Sequence, residues 1–241
     1  MSIARFYCPT ALAAGTTIAL PPDTFHHAVR VRRLRVDDSL VLFAGDGSEA
    51  TAKLVAIRRD GADVAIENLD AVDRESPLEV ALLQGISSGE RMDYTLQKVV
   101  ELGARCIVPV AMQRSAPMSG ERADKRAAHW RQVVISACEQ SGRAWVPEVL
   151  PVAGLAAALQ NSDATCRVLL SASGSARLAE VARPTGRVAV LAGPEGGLTT
   201  DEERAAIAAG FMTISLGPRI LRTETAAVAA LAIMQSLWGD C

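Results

Sequence analysis

The sequence lacks the cysteine and histidine spacings that zinc sites and disulfide frameworks require. Its five cysteines, Cys8, Cys106, Cys138, Cys166 and Cys241, are odd in number and far apart. No Cys-x-x-Cys pair exists, so neither a zinc site nor a disulfide framework is expected. Such cysteines suit a reducing cytosol. His26 and His27 lack a Cys or acidic pair at ligand spacing, so metal is not expected there either. No apolar run reaches the roughly 18 residues of a membrane span. The start lacks the charged-then-apolar pattern of a signal peptide, which makes a cytoplasmic protein the expectation. Charge of one sign is also missing: 25 Lys and Arg stand against 27 Asp and Glu, a net charge of −2. That excludes a strongly basic nucleic-acid binder and leaves any RNA function to a local basic face. Aromatic residues are only 4%, too few for extensive base stacking. There is no Walker A loop and no G-x-G-x-x-G after a first strand, so a pyrophosphate cradle is not expected.

What remains is an ordinary globular composition, 49% hydrophobic and 22% charged over 241 residues, enough for one large domain or two small ones. Residues 1–73 read as all-β. Short β-branched or alternating runs lie at 17–20, 39–43, 50–57 and 63–67. Asp46-Gly47 and Asp60-Gly61 stand between runs, where Asp-Gly supplies the positive φ of tight hairpins. A small barrel is expected. Thr24 is placed to cap a short helix through His26, His27 and Val29, with Arg30 and Arg33 on one face. The polar stretch 70–77, ending in Pro77, marks a boundary between domains 1–73 and 74–241.

From Leu78 onward strands alternate with helices: strand 78–84, helix 91–102, strand 106–110, helix 120–140 and strand 167–171. This pattern means an α/β fold with a mostly parallel sheet covered on both faces. Two further units follow. Strand Val188–Ala192 runs into Gly193-Pro194-Glu195-Gly196-Gly197, and strand 211–216 runs into Gly217-Pro218-Arg219-Ile220-Leu221-Arg222. Thr200 with Glu203 fits a capping box, and Gly210 suits the C′ position of that helix. The last helix begins near Thr223 and is almost wholly apolar through Trp238, so it is buried on several faces. Ligands of open α/β sheets bind at such strand-to-helix loops, on the carboxyl edge of the strands.

Leu191-Ala192-Gly193-Pro194-Glu195-Gly196-Gly197-Leu198, followed by Leu216-Gly217-Pro218-Arg219-Ile220-Leu221-Arg222-Thr223-Glu224-Thr225-Ala226, closely resembles the RsmE family. These are SPOUT-class methyltransferases that use S-adenosylmethionine to methylate N3 of one uridine in bacterial small-subunit (16S) ribosomal RNA. The likeness extends to residues 101–104, Arg114-Ser115, residues 139–143 and, more loosely, residues 25–31. It implies a C-terminal trefoil knot, a PUA-like barrel that holds RNA, and an obligate homodimer with small-subunit ribosomal RNA or the assembled subunit as partner. It further implies a cofactor pocket of Ser171, Leu191, Gly193, Gly196, Leu216, Gly217, Ile220 and Leu221, with no metal and no membrane.

The reaction sets what else is needed. The sulfonium wants carbonyls and apolar walls, and uridine N3 must lose a proton. Arg222, at the helix entrance, is the expected stabiliser of charge on the pyrimidine carbonyls; on sequence alone a surface ion pair with Glu224 is the alternative. Glu195 is the expected base, with Glu139 as the other candidate and transfer aided by electrostatics alone, with no dedicated base, as the third reading. On sequence alone the cluster of Arg30, Arg32, Arg33 and Arg35 reads as a solvated face; the resemblance implies RNA contacts for Arg30 and Arg32, and Arg33, Arg114, Arg143 and Arg219 are the further expected ones. The rival readings are a SPOUT enzyme acting on ribose 2′-O or another RNA, and a non-catalytic RNA-binding protein.

Overall fold

The computed structural model describes residues 3–118 and 121–241. The chain forms two compact units. Residues up to Glu75 join with Cys138–Val146, and residues 76–137 join with 147–241. The boundary falls near the polar stretch 70–77, but the segment Cys138–Val146 belongs with the first unit rather than with the sequence that surrounds it.

The first unit is built on five strands: β1 (Ala4–Tyr7), β2 (Thr17–Ala19), β3 (Ser39–Phe43), β4 (Ser48–Ile57) and β5 (Ala62–Ala71), in the order β1-β3-β4-β5-β2. Only β1 and β3 run parallel. Alternation turns Phe6, Leu40, Leu42, Leu54, Val64 and Ile66 into one buried core. Two register shifts between β4 and β5 add local twist and bend the sheet around that core. β1 and β2 are its edges, so the expected barrel is open between them. Gly47 has φ +96°, and a Cβ there would lie 2.5 Å from Trp145 Nε1, so this turn requires glycine. Gly61 has no positive φ. Its turn is closed instead by the Arg58 amide on the Gly61 carbonyl at 2.7 Å.

The short helix α1 (Pro22–Phe25) continues as a π-helical turn over His26–Val31. Thr24 does not cap it, because its hydroxyl donates to the Tyr7 carbonyl at 2.7 Å. Arg33 lies beyond the turn at φ +59°, so it shares no helical face with Arg30.

The second unit carries β6 (Val80–Gly85), α2 (Gly89–Glu101), β7 (Ala104–Ala111), most of α3 (Glu121–Ser141), β8 (Glu148–Val149), β9 (Ala153–Gly154), α4 (Leu155–Gln160), β10 (Cys166–Leu170), β11 (Val188–Ala192), α5 (Thr200–Ala208), β12 (Met212–Ile214) and α6 (Thr223–Trp238). Gly120, where the long helix was expected to start, lies outside the described residues. The sheet order is β12-β10-β11-β6-β7-β8, with β9 also on β7, and every pairing is parallel. β6 and β11 are buried along their whole length, as central strands of a covered parallel sheet must be.

Two helix ends matter for the site. The α5 cap is Thr199, not Thr200: its hydroxyl accepts from the Glu202 amide, and Glu202 accepts from the Thr199 amide at 2.8 Å. Both spacings satisfy the motif, but the other Glu202 oxygen also accepts from the Gln113 amide at 2.8 Å, which selects the earlier register. Gly210 closes α5 at φ +85°, as expected. Along α6, Ala227, Ala230, Leu231, Met234 and Trp238 are buried at helical spacing, while Ile233 and Leu237 are exposed.

Candidate active site

At the carboxyl ends of β10, β11 and β12 the chain turns outward three times. The loops after these strands, residues 171–173, 193–199 and 215–222, enclose a cavity of about 620 Å³. That size is typical of small-molecule sites. The strand order crosses at this edge: β11 lies on one side of β10 and β12, the next strand, on the other. Such a switch point leaves a crevice between diverging loops.

The glycine loop 193–197 is held from three directions. Gln84, fully buried at the end of β6, donates its amide to the carbonyls of Gly85 and Gly193 and to Thr223 Oγ1. Thr223 Oγ1 in turn donates to the Gly193 carbonyl at 2.5 Å, tying the loop to the start of α6. Arg114 Nη1 donates to the Gly196 carbonyl at 2.8 Å. On the third side the Glu195 carboxylate accepts from the Ser88 amide at 2.8 Å, the Ser88 hydroxyl at 2.6 Å and Arg91 Nη1 at 3.2 Å.

That last arrangement corrects the role expected of Glu195. Desolvation pushes its carboxyl upward, but the hydrogen bonds from Ser88 and Arg91 outweigh it and hold the pKa at about 2. So weakly basic a group is a poor proton acceptor at neutral pH; Glu195 is a latch for the loop. Its folded value lies below the ordinary 4.5, so its contribution to stability is present above that range and is lost as pH falls toward 2. Glu195→Gln should therefore keep kcat within about threefold. Glu195→Ala should lose charge-assisted bonds of about 1.5–3 kcal/mol and show it as weaker cofactor binding by calorimetry.

Of the expected cofactor residues, Ser171, Gly193, Gly196, Leu216, Gly217, Ile220 and Leu221 all line the cavity. Leu191 does not: it is fully buried in the core among Leu83, Leu169 and Phe211. Sequence reading missed Ser173, Glu203 and Arg91 on the lining, and it missed Gln84. A polar residue closing the otherwise apolar run of β6 was the available signal for Gln84. Arg222 is exposed at the cavity mouth, and no ion pair joins it to Glu224 among the described residues. Residues two apart at a helix start do not face each other.

The expected RNA contacts divide. Arg30, Arg32 and Arg33 are exposed; Arg30 stacks on Phe25 and donates to the Arg59 carbonyl. Arg114 and Arg219 are exposed and line the cavity. Arg143 is different: it is 4% exposed and its guanidinium is clasped by Glu75, with Nε on Oε1 at 3.0 Å. A cation so buried cannot reach a phosphate, and its role is structural. Breaking a buried pair strands a charge, so Arg143→Ala should destabilise the protein by about 3–5 kcal/mol in urea unfolding. Unchanged stability would restore the RNA role. Glu139 also lies in the first unit, where it accepts from the Tyr7 amide and faces His27. Burial raises its pKa against the opposing Tyr7 bond. His27 meets Phe6 edge-on at 5.4 Å, a packing role. No group of His, Cys, Asp and Glu able to hold a metal exists among the described residues.

Comparison with known proteins agrees with this architecture. A family model described as an RNA methyltransferase domain matches residues 74–235, and one described as an RNA methyltransferase PUA domain matches residues 20–67. The crystal structure of a ribosomal RNA small subunit methyltransferase E from Neisseria gonorrhoeae bound to S-adenosyl methionine is 45% identical, with TM-score 0.94 over 99% of both chains. A putative methyltransferase from Legionella pneumophila, in complex with the same cofactor, is 35% identical with TM-score 0.97 over 100% of both chains. The ribosomal RNA small subunit methyltransferase E of Buchnera aphidicola is 32% identical over 99% of this chain and 98% of its own. The two glycine-bearing loops, the parallel sheet that presents them and these full-length matches place the chain in the RsmE family of S-adenosylmethionine-dependent RNA methyltransferases.

Proposed function

We propose that this protein transfers a methyl group from S-adenosylmethionine to N3 of a specific uridine in bacterial small-subunit ribosomal RNA. The observation that carries the reading is the cavity of about 620 Å³ over the carboxyl edge, walled by the two glycine-bearing loops with Arg222 at its mouth. The residues fit the cofactor. Gly197 and Gly217 line the cavity at φ +68° and +114°, and nothing lies within 4 Å of a Cβ built on either. A side chain at either position would project into open space. The loops at 171–173, 193–197 and 216–221 would hold the cofactor, with backbone groups and the apolar Leu216 and Leu221. When bound, it supplies an electrophilic methyl carbon on a sulfonium.

The chain's own residues do the rest. Arg222 stabilises the negative charge that spreads onto the pyrimidine carbonyls as N3 loses its proton. Arg114 and Arg219 flank the entrance, and Arg30, Arg32 and Arg33 grip the RNA backbone while base contacts supply the selection. The acceptor base leaves its stack to enter the cavity, which single-stranded rRNA makes inexpensive. Exposed Ile233 and Leu237 on α6 support a homodimer, and threading of the last segment as a trefoil knot belongs to the same reading. The protein works in the cytoplasm on naked rRNA or the assembled subunit.

The test is thermal. A ligand that binds only the native state at 100 times its Kd stabilises by about 2.7 kcal/mol, so S-adenosylmethionine should raise Tm measurably. A Tm that does not move at saturating cofactor would leave an RNA-binding protein without the reaction.

A further inference from the structure

The cavity is lined by three carboxylates, and two of them are already engaged. Glu195 is bound by Ser88 and Arg91. Glu203 accepts from the Ser171 hydroxyl at 3.1 Å. Glu224 is the third. Its Oε2 is shut off from solvent and has no hydrogen-bond donor, and no ion pair reaches it among the described residues. A buried acceptor without a donor costs free energy that an arriving donor relieves. Arg222 lines the same cavity, likewise with no partner among the described residues. The cavity thus holds a carboxyl group and a guanidinium whose side chains have no hydrogen-bond or ion-pair partner among the described residues.

Uridine N3 carries its proton between two carbonyl carbons. Removing it calls for a proton acceptor at N3 and a positive charge at a carbonyl oxygen, one of each. We infer that Glu224 is the general base that takes the N3 proton of the acceptor, an inference that rests on the proposed uridine-N3 reading. The N3–H bond breaks and the proton passes to a Glu224 oxygen. The freed nitrogen electron pair forms the N–CH3 bond, while the methyl–sulfur bond breaks and leaves its pair on sulfur. Glu224 returns the proton to water. Charge on the base anion is met by Arg222.

The experiment measures three things on the full-length enzyme with undermodified small ribosomal subunits: the Tm shift given by S-adenosylmethionine, the steady-state constants for methyl transfer, and the methylated nucleoside. Glu224→Gln keeps the shape of the side chain but cannot take up a proton. It should retain the cofactor-induced Tm shift, leave KM for the subunits little changed and lose kcat by about 10²–10⁴-fold. Glu224→Asp, which keeps a carboxylate, should recover part of that loss. A Glu224→Gln kcat within about threefold of wild type would overturn the base. Loss of the cofactor-induced shift in both variants would make Glu224 a cofactor ligand and overturn it too. Wild-type label on a nucleoside other than N3-methyluridine would overturn the uridine-N3 reading and the base with it, an outcome visible without either variant.

Discussion

Arg222→Ala should lower kcat for methyl transfer by about 10²–10³-fold while leaving the cofactor-induced Tm shift intact. The expectation follows from where the residue stands. Arg222 occupies the N-cap position of α6 with extended backbone and makes no side-chain cap bond. The structural work at that corner is done by its neighbour: the Thr223 hydroxyl bonds the Gly193 carbonyl and receives the Gln84 amide. Removing the Arg222 side chain therefore leaves the loop-to-helix tie in place. What is lost is a guanidinium at the cavity mouth, whose charge matters only when negative charge develops on the acceptor. An interaction made only in the transition state appears in kcat and not in ground-state binding. Arg222→Lys should recover part of the rate, since a charge is restored without the planar fork. Full activity in Arg222→Ala would remove Arg222 from the chemistry, and loss of the Tm shift would assign it to cofactor binding.

The second large effect is expected at a residue that touches no ligand. Gly85 ends β6 directly beneath the glycine loop. A Cβ there would stand 2.5 Å from the Pro194 nitrogen, 2.6 Å from Pro194 Cδ and 2.8 Å from the Gly193 carbonyl carbon. Two of these atoms are backbone and the third is a ring carbon, so no flexible side chain can yield. The loop itself must shift. A displacement approaching 1 Å costs about 10²-fold in a well-oriented site. Gly85→Ala should accordingly fold, because the clash is confined to one loop, and lose cofactor affinity and kcat/KM together. Gly61→Ala is the control: it has no positive φ and nothing within 4 Å of a Cβ, so stability and activity should be unchanged. If Gly85→Ala binds cofactor as tightly as wild type, the 193–197 loop does not form the pocket wall.

These two residues also mark what the sequence could and could not convey. β11 was legible to the residue because a continuous apolar run bounded by Gly193 has one reading in an alternating α/β chain. The two outward loops were legible because glycines, prolines and a polar helix start sit together. The α5 cap slipped by one because Thr199-x-x-Glu202 and Thr200-x-x-Glu203 are both valid boxes, and only the distant Gln113 amide decides between them. Glu195 and Arg143 were misread for a common reason. Each is a charged residue in a loop, and its partners, Ser88 and Arg91 for one and Glu75 for the other, lie 104–107 and 68 residues away. Sequence patterns report local periodicity; they carry no signal for a pairing across such separations. The same holds for Gly85, whose need for glycine is a close approach rather than a positive φ.

The measurement that bears most directly on the central claim is methyl transfer from radiolabelled S-adenosylmethionine to small ribosomal subunits lacking the modification, followed by nucleoside analysis. Label recovered as N3-methyluridine, stoichiometric with subunits and lost in Arg222→Ala, is the expected result. Label on a ribose 2′-O or on another base would contradict the assignment of acceptor. No label at all, in a protein whose Tm the cofactor raises, would contradict the ribosomal substrate.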